Sequence, residues 1–127
     1  MIVVDASAAV SGLLNDGDAR RALATEAISV PHLADSEIAN ALRSRVHRGM
    51  VDEPDARRAL DRWRRLGIRR VAAVGLLARV WELRHSLTAY DATYVALAEA
   101  IGCRLLTADA KLAGAPGPLC SMVVVRR

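Results

Sequence analysis

Residues 88–109 read TAYDATYVALAEAIGCRLLTAD, which predicts a buried helix followed directly by a buried strand. The helix expected at Ala89–Ile101 is preceded by Thr88, is apolar almost all round and is followed by Gly102. These features are typical of a capped helix inside a protein core. The Cys103–Leu106 segment is short and mostly apolar, as in a strand covered on both faces. A helix that leads into such a strand is typical of an α/β fold with a parallel sheet.

The rest of the chain repeats this alternation of short apolar segments and longer helical patterns. Four further strands are predicted at Ile2–Val4, Ala27–Val30, Arg70–Ala72 and Met122–Val125. Apolar residues at helical spacing predict five further helices, at Ser7–Leu14, Asp18–Glu26, Asp35–Arg48, Asp52–Arg65 and Val74–His85. The expected fold class is therefore α/β with a mostly parallel central sheet, in a single domain that spans residues 1–127.

The composition excludes several classes of protein. Of the 127 residues, 53% are apolar and 25% are charged, the balance of a folded soluble domain. No apolar run approaches the roughly 18 residues of a membrane span, and the N-terminal run contains Asp5 and lacks the basic start of a secretion signal. The two cysteines, Cys103 and Cys120, are predicted to be small buried core residues in a reducing compartment. We therefore expect a cytoplasmic protein that does not bind a membrane.

The basic residues suggest a polyanionic partner. The formal net charge is +4, and Lys111 is the only lysine, so every other basic residue is an arginine. The planar guanidinium group of arginine binds phosphate through two parallel hydrogen bonds. The sequence pI of about 9.8 favours a nucleic acid or an acidic protein as partner. The same charge also fits an ordinary solvated helix surface, and both interpretations stay open.

Four carboxylates are predicted to meet at one edge of the sheet. Asp5 and Asp109 follow strands, whereas Glu37 and Asp91 lie near the starts of helices. In a parallel sheet, the carboxyl ends of strands and the N-termini of the following helices share an edge. The helix that starts near Asp91 and the strand that returns towards Asp109 have similar lengths of about 15 and 16 Å, which places these two residues side by side. Each carboxylate also has a structural explanation, as a helix cap or as a favourable charge near a helix N-terminus.

Such a cluster of carboxylates points to a divalent cation. Neighbouring carboxylates repel one another, so the cluster persists only when some are protonated or a cation neutralises them. All-oxygen ligation without histidine or cysteine favours Mg²⁺ or Mn²⁺, as one ion or two. A bound ion of this kind can activate a water molecule and neutralise charge on a phosphate, which is the chemistry of phosphodiester hydrolysis. The arginines would hold the nucleic acid backbone against an otherwise repellent acidic pocket.

Four segments of the chain resemble the PIN-domain ribonucleases, specifically the VapC-type toxins of bacterial toxin–antitoxin pairs. The matching segments are Ile2–Ala8, Pro31–Leu33 with Glu37–Arg43, Leu87–Glu99 and Leu105–Leu112. Their order and spacing match the family over essentially the whole chain. None of the four acidic positions departs from the family pattern.

The resemblance implies a three-layer α/β/α sandwich and Mg²⁺-dependent cleavage of RNA. It implies that Asp5 and Asp91 are metal ligands and that Glu37 and Asp109 complete the acidic site. It also implies a homodimer that is silenced by a small cognate antitoxin, whose C-terminal segment packs over the active site. No small-molecule cofactor is expected.

Two functions of other classes remain as alternatives. A Mg²⁺-binding phosphoacceptor signalling domain also groups acids at a sheet edge, but Asp5 stands alone and nothing acidic follows the strand at Val71. A non-catalytic scaffold that binds RNA or the antitoxin would use the same acids only as helix caps. Trp63 and Trp81, at helical spacing, are predicted to lie in the core or at a subunit interface.

Overall fold

The computed structural model describes residues 1–126, which form a sheet of five parallel strands covered by helices. The strands are β1 (Ile2–Val4), β2 (Ile28–Pro31), β3 (Arg69–Val71), β4 (Arg104–Thr107) and β5 (Met122–Val124). Their order across the sheet is β3-β2-β1-β4-β5, and every neighbouring pair is parallel. The predicted α/β fold class is confirmed, and each predicted strand lies within one residue of its expected bounds.

The connections between strands place the helices on both faces of the sheet. The helices are α1 (Ala6–Leu14), α2 (Asp18–Thr25), α3 (Leu33–His47), α4 (Glu53–Arg65), α5 (Leu77–Glu82), α6 (Ala89–Ile101) and α7 (Ala110–Ala113), with a 3₁₀ turn at Val74–Leu76 before α5. Crossovers between parallel strands are right-handed, and the chain moves in one direction from β1 to β3 and in the other from β3 to β5. The first four helices therefore cover one face and the last three the other, which gives the expected α/β/α sandwich.

The core is centred on β1 and α6. All three residues of β1 are buried, and so are seven consecutive residues of α6, Ala92–Ala98. Trp63 of α4 is also buried, at 1% exposure, so it lies in the core, which was one of the two locations predicted for it. Trp81 of α5 is 67% exposed and therefore lies outside the core of this chain.

Two predictions of local structure were wrong in detail, and one short helix was not predicted. The helix expected at Val74–His85 is a 3₁₀ turn followed by α5, which ends at Glu82, and Gly75 within the turn disfavours a regular helix. Helix α7 was not predicted, because four residues are too few to show a helical period. Cys103 and Cys120 are free thiols and half-buried, since they precede β4 and β5 near the surface. Within residues 1–126, every helix is too short or too polar to cross a membrane.

Candidate active site

The strand order reverses between β1 and β4, and this is where two of the predicted site residues lie. The chain leaves β1 towards β2 on one side and leaves β4 towards β5 on the other. Open α/β sheets bind their ligands at such a switch point, beyond the carboxyl ends of the strands. Asp5 directly follows β1, and Asp109 follows β4 after one intervening residue. The fold therefore places both carboxylates at the position where a ligand is expected.

Asp5 is buried and acts as the N-cap of α1. Its Oδ1 atom accepts hydrogen bonds from the Ser7 hydroxyl at 2.6 Å and from the Ala8 backbone N–H at 2.9 Å. Burial raises the pKa of Asp5, and the charge of Asp109 raises it further, although these hydrogen bonds partly oppose the shift. The structural explanation for Asp5 as a cap is confirmed. Capping alone does not explain why the Asp5 carboxylate is buried where the charge of Asp109 acts on it.

Asp91 and Glu37 lie half-buried on α6 and α3. The Thr88 hydroxyl oxygen accepts a hydrogen bond of 3.1 Å from the Asp91 backbone N–H and caps α6, as predicted. Burial raises the pKa of Asp91, and the charges of Asp5 and Asp109 add to the effect. Burial also raises the pKa of Glu37, to which the charges of Asp91 and Asp5 contribute. Burial and neighbouring carboxylates therefore raise the pKa of both groups, as expected where several acids lie close together.

Asp109 is half-buried and caps the short helix α7. Its Oδ1 atom accepts a hydrogen bond of 2.9 Å from the Lys111 backbone N–H, and its own N–H donates to the Thr107 hydroxyl oxygen at 3.0 Å. The charge of Asp109 raises the pKa of both Asp5 and Asp91. Asp109 is therefore electrostatically coupled to two of the other three predicted residues.

The charges of the four predicted carboxylates act on one another, and we call Asp5, Glu37, Asp91 and Asp109 the acidic site. The Asp5 charge interacts unfavourably with each of the other three. A cation would relieve this repulsion, and the all-oxygen donor set fits a hard divalent ion. Among residues 1–126, no three His, Cys, Asp or Glu side chains are already grouped closely enough to hold a metal ion. The donors fit by chemistry and charge, and the roles of the four residues stay a prediction.

Comparison with known proteins assigns the fold to a family. A family model described as PIN domain matches residues 2–117. The chain belongs to the PIN-domain family. It is 54% identical over 127 residues, all of both chains, to ribonuclease VapC9 of Mycobacterium tuberculosis, which confirms the predicted VapC type.

Two solved structures share the PIN fold. One is VapC20 of M. tuberculosis, described as a toxin that cleaves the sarcin-ricin loop, with a TM-score of 0.67, 23% identity and complete coverage of both chains. The other is VapBC2 of Rickettsia felis bound to a fragment of promoter DNA, with a TM-score of 0.69, 13% identity and coverage of 97% of this chain and 98% of the other. At these identities, the likeness supports the fold alone.

Tyr94 was predicted only as part of the buried helix Ala89–Ile101, yet its side chain contacts a residue of the acidic site. Its side chain is 1% exposed, and its hydroxyl donates a hydrogen bond of 2.6 Å to Oε1 of Glu37. Burial and the neighbouring carboxylates raise the pKa of Tyr94 far above its usual value, so it remains a donor. The only signal in the sequence is the three-residue spacing from Asp91, which places both residues on one side of α6.

Ser7 and Thr107 join the ends of β1 and β4 beneath the carboxylates. The Ser7 hydroxyl oxygen accepts a hydrogen bond of 2.9 Å from the Ala108 backbone N–H and lies 3.4 Å from the Thr107 hydroxyl. Ser7 also lines a cavity of about 320 Å³ that reaches Glu37, Asn40 and Arg45, which leaves room for a ligand beside the Glu37 carboxylate.

Proposed function

We propose that this PIN domain is the endoribonuclease toxin of a bacterial toxin–antitoxin pair and hydrolyses RNA phosphodiester bonds at the acidic site. The observation that carries the proposal is the buried Asp5 carboxylate at the switch point of the sheet, which has no cationic partner among residues 1–126 and lies within reach of the charges of other acids of the site. The name of the 54% identical relative, ribonuclease VapC9, supports RNA as substrate. The proposal treats residues 1–127 as one domain and places its activity in the cytoplasm.

In this proposal, Asp5 and Asp91 hold Mg²⁺ or Mn²⁺, while Glu37 and Asp109 complete the ligand shell or position the attacking water. The metal would activate that water and neutralise charge that develops on the phosphate. Burial raises the pKa of Glu37, which brings it closer to the range suited to proton transfer near neutral pH. The Tyr94 hydroxyl holds the Glu37 carboxylate in position.

The proposed partners are a small cognate antitoxin and a second copy of the chain. The antitoxin follows from the VapC type of the chain, which its 54% identity to ribonuclease VapC9 supports. Val74, Leu77 and Trp81 are 78%, 54% and 67% exposed on the 3₁₀ turn and α5. This apolar surface supports the homodimer, because a subunit interface would bury it.

The proposal is tested by RNA cleavage in Mg²⁺ with Asp5→Asn. Asparagine keeps the Oδ1 atom that caps α1 but removes the negative charge, so we expect cleavage to be lost and the fold to remain. Asp18→Asn is the matched control, since Asp18 is an exposed acid on α2 that pairs with Arg21. Cleavage by Asp5→Asn at the wild-type rate would show that the assigned role is wrong.

The scaffold alternative is favoured by one observation, that Asp5 and Asp109 do cap helices. A thermal melt in the presence of Mg²⁺ separates the two functions. Metal that binds only the folded protein must raise the melting temperature, whereas caps without a metal site give no rise at millimolar Mg²⁺. The phosphoacceptor alternative gains no support, because β3 is an edge strand followed by Ala72 rather than by an acid.

A further inference from the structure

A second and larger depression opens beside the cavity of the acidic site. This groove has a volume of about 990 Å³ and lies between the end of α1, the second half of α3 and helix α4. Asn40, Ala41 and Arg45 line both the groove and the 320 Å³ cavity that contains Glu37. The two spaces are therefore adjacent along α3, and a chain that leaves the acidic site in this direction enters the groove.

The groove is strongly basic, with five arginines and two aspartates in its lining. Most arginines of the chain are neutralised within it. Two groove arginines, Arg20 and Arg58, pair with Asp16 and Asp55. Seven arginines outside the groove also form ion pairs among residues 1–126: Arg21, Arg57, Arg64, Arg65, Arg70, Arg79 and Arg104. Within residues 1–126, three groove arginines have no carboxylate partner, namely Arg45, Arg48 and Arg62. Their positive charge is available for an anion from outside the chain.

The hydrogen bonds of these three arginines leave their guanidinium groups largely unused. Arg45 donates one long bond of 3.5 Å to the Ala41 carbonyl of its own helix. Arg62 donates one bond of 3.2 Å to the Leu13 carbonyl at the end of α1. A guanidinium group has five N–H donors, so both keep donors for a phosphate. Arg48 lies exposed at the C-terminal end of α3.

The spacing of these cations along α3 suits an extended chain of phosphates. Arg45 is eight residues and Arg48 eleven residues beyond Glu37, which correspond to about 12 and 16 Å along the helix axis. Arg62 projects into the same groove from α4. Asn40 and Ser44 add polar groups between the carboxylates and the cations. The arginines of the groove therefore lie next to the acidic site, since Arg45 lines both the groove and the cavity that contains Glu37.

We infer that this groove binds the sugar–phosphate backbone of single-stranded RNA on one side of the scissile bond, with Arg45, Arg48 and Arg62 as the phosphate-binding residues. The inference rests on the proposed function of the acidic site. No aromatic side chain lines the groove, so it offers no surface for base stacking and binds the backbone without regard to sequence. An acidic protein segment is the competing occupant, which the experiment distinguishes.

The test measures the salt dependence of RNA binding in the Asp5→Asn background with Mg²⁺ present, so that no cleavage interferes. A fluorescent, unstructured oligoribonucleotide is titrated at several salt concentrations. For single strands, the slope of log K against log salt falls by about 0.7 for each lost phosphate contact. We expect that loss for Arg45→Gln, Arg48→Gln and Arg62→Gln singly, and a loss of about 2 in the triple variant.

Arg64→Gln is the matched control, because it makes the same charge change on α4 outside the groove and leaves Asp61 paired with Arg65. Its slope should equal that of the parent protein. Arg48→Lys should restore the slope that Arg48→Gln loses, since lysine also binds phosphate but does not reproduce the shape of arginine. Thermal melts of all variants show whether the fold is retained.

An unchanged slope in the triple variant would overturn the inference, as would an equal loss in Arg64→Gln. If the triple variant loses binding of a polyglutamate peptide but keeps its RNA binding, the groove serves an acidic protein and the inference is wrong. The outcome is separate from that of the proposed function. If the parent protein cleaves RNA but the groove variants keep their salt slope, only the groove inference is contradicted. If the groove variants lose slope but the parent protein never cleaves RNA, only the proposed nuclease function is contradicted.

Discussion

Among residues 1–126, carboxyl groups have arginine partners in two clusters of the molecule but none at the acidic site, and their pKa values shift in opposite directions. Asp35 on α3 accepts two hydrogen bonds of 2.8 Å from Arg70 and one of 2.7 Å from the Trp63 indole N–H. Glu99 on α6 accepts hydrogen bonds from Arg79 at 2.7 and 3.1 Å. These arginine partners lower the pKa of both carboxyl groups.

At the acidic site the pKa values of three carboxyl groups move the other way. Burial and mutual repulsion raise the pKa of Asp5, Glu37 and Asp91. The chain contains 17 arginines and uses nine of them to pair acids, yet no acidic-site residue has an arginine partner among residues 1–126. Acids that stabilise the fold are paired within it. The acids of the acidic site are left without a cation within the described part of the chain, as expected of acids that a ligand would neutralise, at a cost in stability of the free protein.

The largest effect is expected from two changes on the same helix, Asp91→Asn and Glu99→Gln. If Asp91 is a metal ligand as proposed, its loss should lower the rate of RNA cleavage more than about 100-fold, because even outer-shell partners of a metal contribute 10- to 100-fold. Glu99→Gln should leave the rate unchanged and cost about 1 kcal/mol of stability, since the Arg79 pair is partly exposed. Cleavage rates and thermal melts measure the two effects. Equal rates of RNA cleavage by Asp91→Asn and Glu99→Gln would contradict the proposed difference between the acidic site and the ion-paired acids.

The next effect concerns the paired cluster on α3. Asp35→Ala leaves the Trp63 indole N–H and the Arg70 guanidinium without their acceptor, so we expect unfolding to become easier by about 2 kcal/mol. Urea denaturation measures the change. Cleavage at a temperature well below the melting transition should stay at the wild-type level. A large loss of cleavage in the folded variant would place Asp35 in the functional site and contradict the comparison.

A smaller effect is expected from Tyr94→Phe. The Tyr94 hydroxyl holds the pKa of Glu37 down, so its removal raises that pKa further. The acidic limb of the pH–rate profile should move to higher pH, and activity should fall about 10-fold, with a greater loss at pH 6 than at pH 8. The profile of kcat/KM against pH measures this shift. A uniform loss at every pH would indicate a purely structural role for Tyr94.

The smallest effect is a gain in stability. A carboxyl group whose pKa is raised by folding binds protons more tightly in the folded state, so stability falls as pH rises from about 4 through the folded pKa. The metal-free protein should therefore melt at a lower temperature at pH 7 than at pH 5. Asp5→Asn should remove part of this slope and stabilise the protein at pH 7 by about 1.4 kcal/mol for each unit by which the pKa is raised. Melting temperatures of both proteins in EDTA between pH 5 and pH 7 test the prediction. A lower melting temperature of Asp5→Asn than of the parent protein at pH 7 would contradict it.

The elements best predicted from the sequence are those with signals at both ends. Helix α6 begins and ends as predicted, because Thr88 caps its start and Gly102 adopts the left-handed conformation, with φ of 77°, at its end. The edge on which the carboxylates lie followed from the direction of parallel strands alone. The predicted end of the helix at His85 was wrong, since apolar spacing continued where the backbone forms turns after Glu82.

The contacts that refine the site were beyond the sequence. The bond between Tyr94 and Glu37 joins residues 57 positions apart on two different helices, and no local pattern encodes such a meeting. The carboxylate partners of the arginines also depend on the three-dimensional arrangement. Arg62 and Arg64 are two positions apart on α4 with the same composition around them, yet of the two only Arg64 has an ion-pair partner within the described residues 1–126. The groove was therefore invisible until the helices were placed.

The position of the carboxylates at the starts of helices has a consequence for the order of events after synthesis. Asp5 and Asp109 are N-caps, and Asp91 lies in the first turn of α6. Helix N-termini carry a partial positive charge, which offsets part of the repulsion among these side chains. In the proposed function, the polypeptide would therefore fold before the metal ion binds, so that folding and the gain of activity would be separate steps.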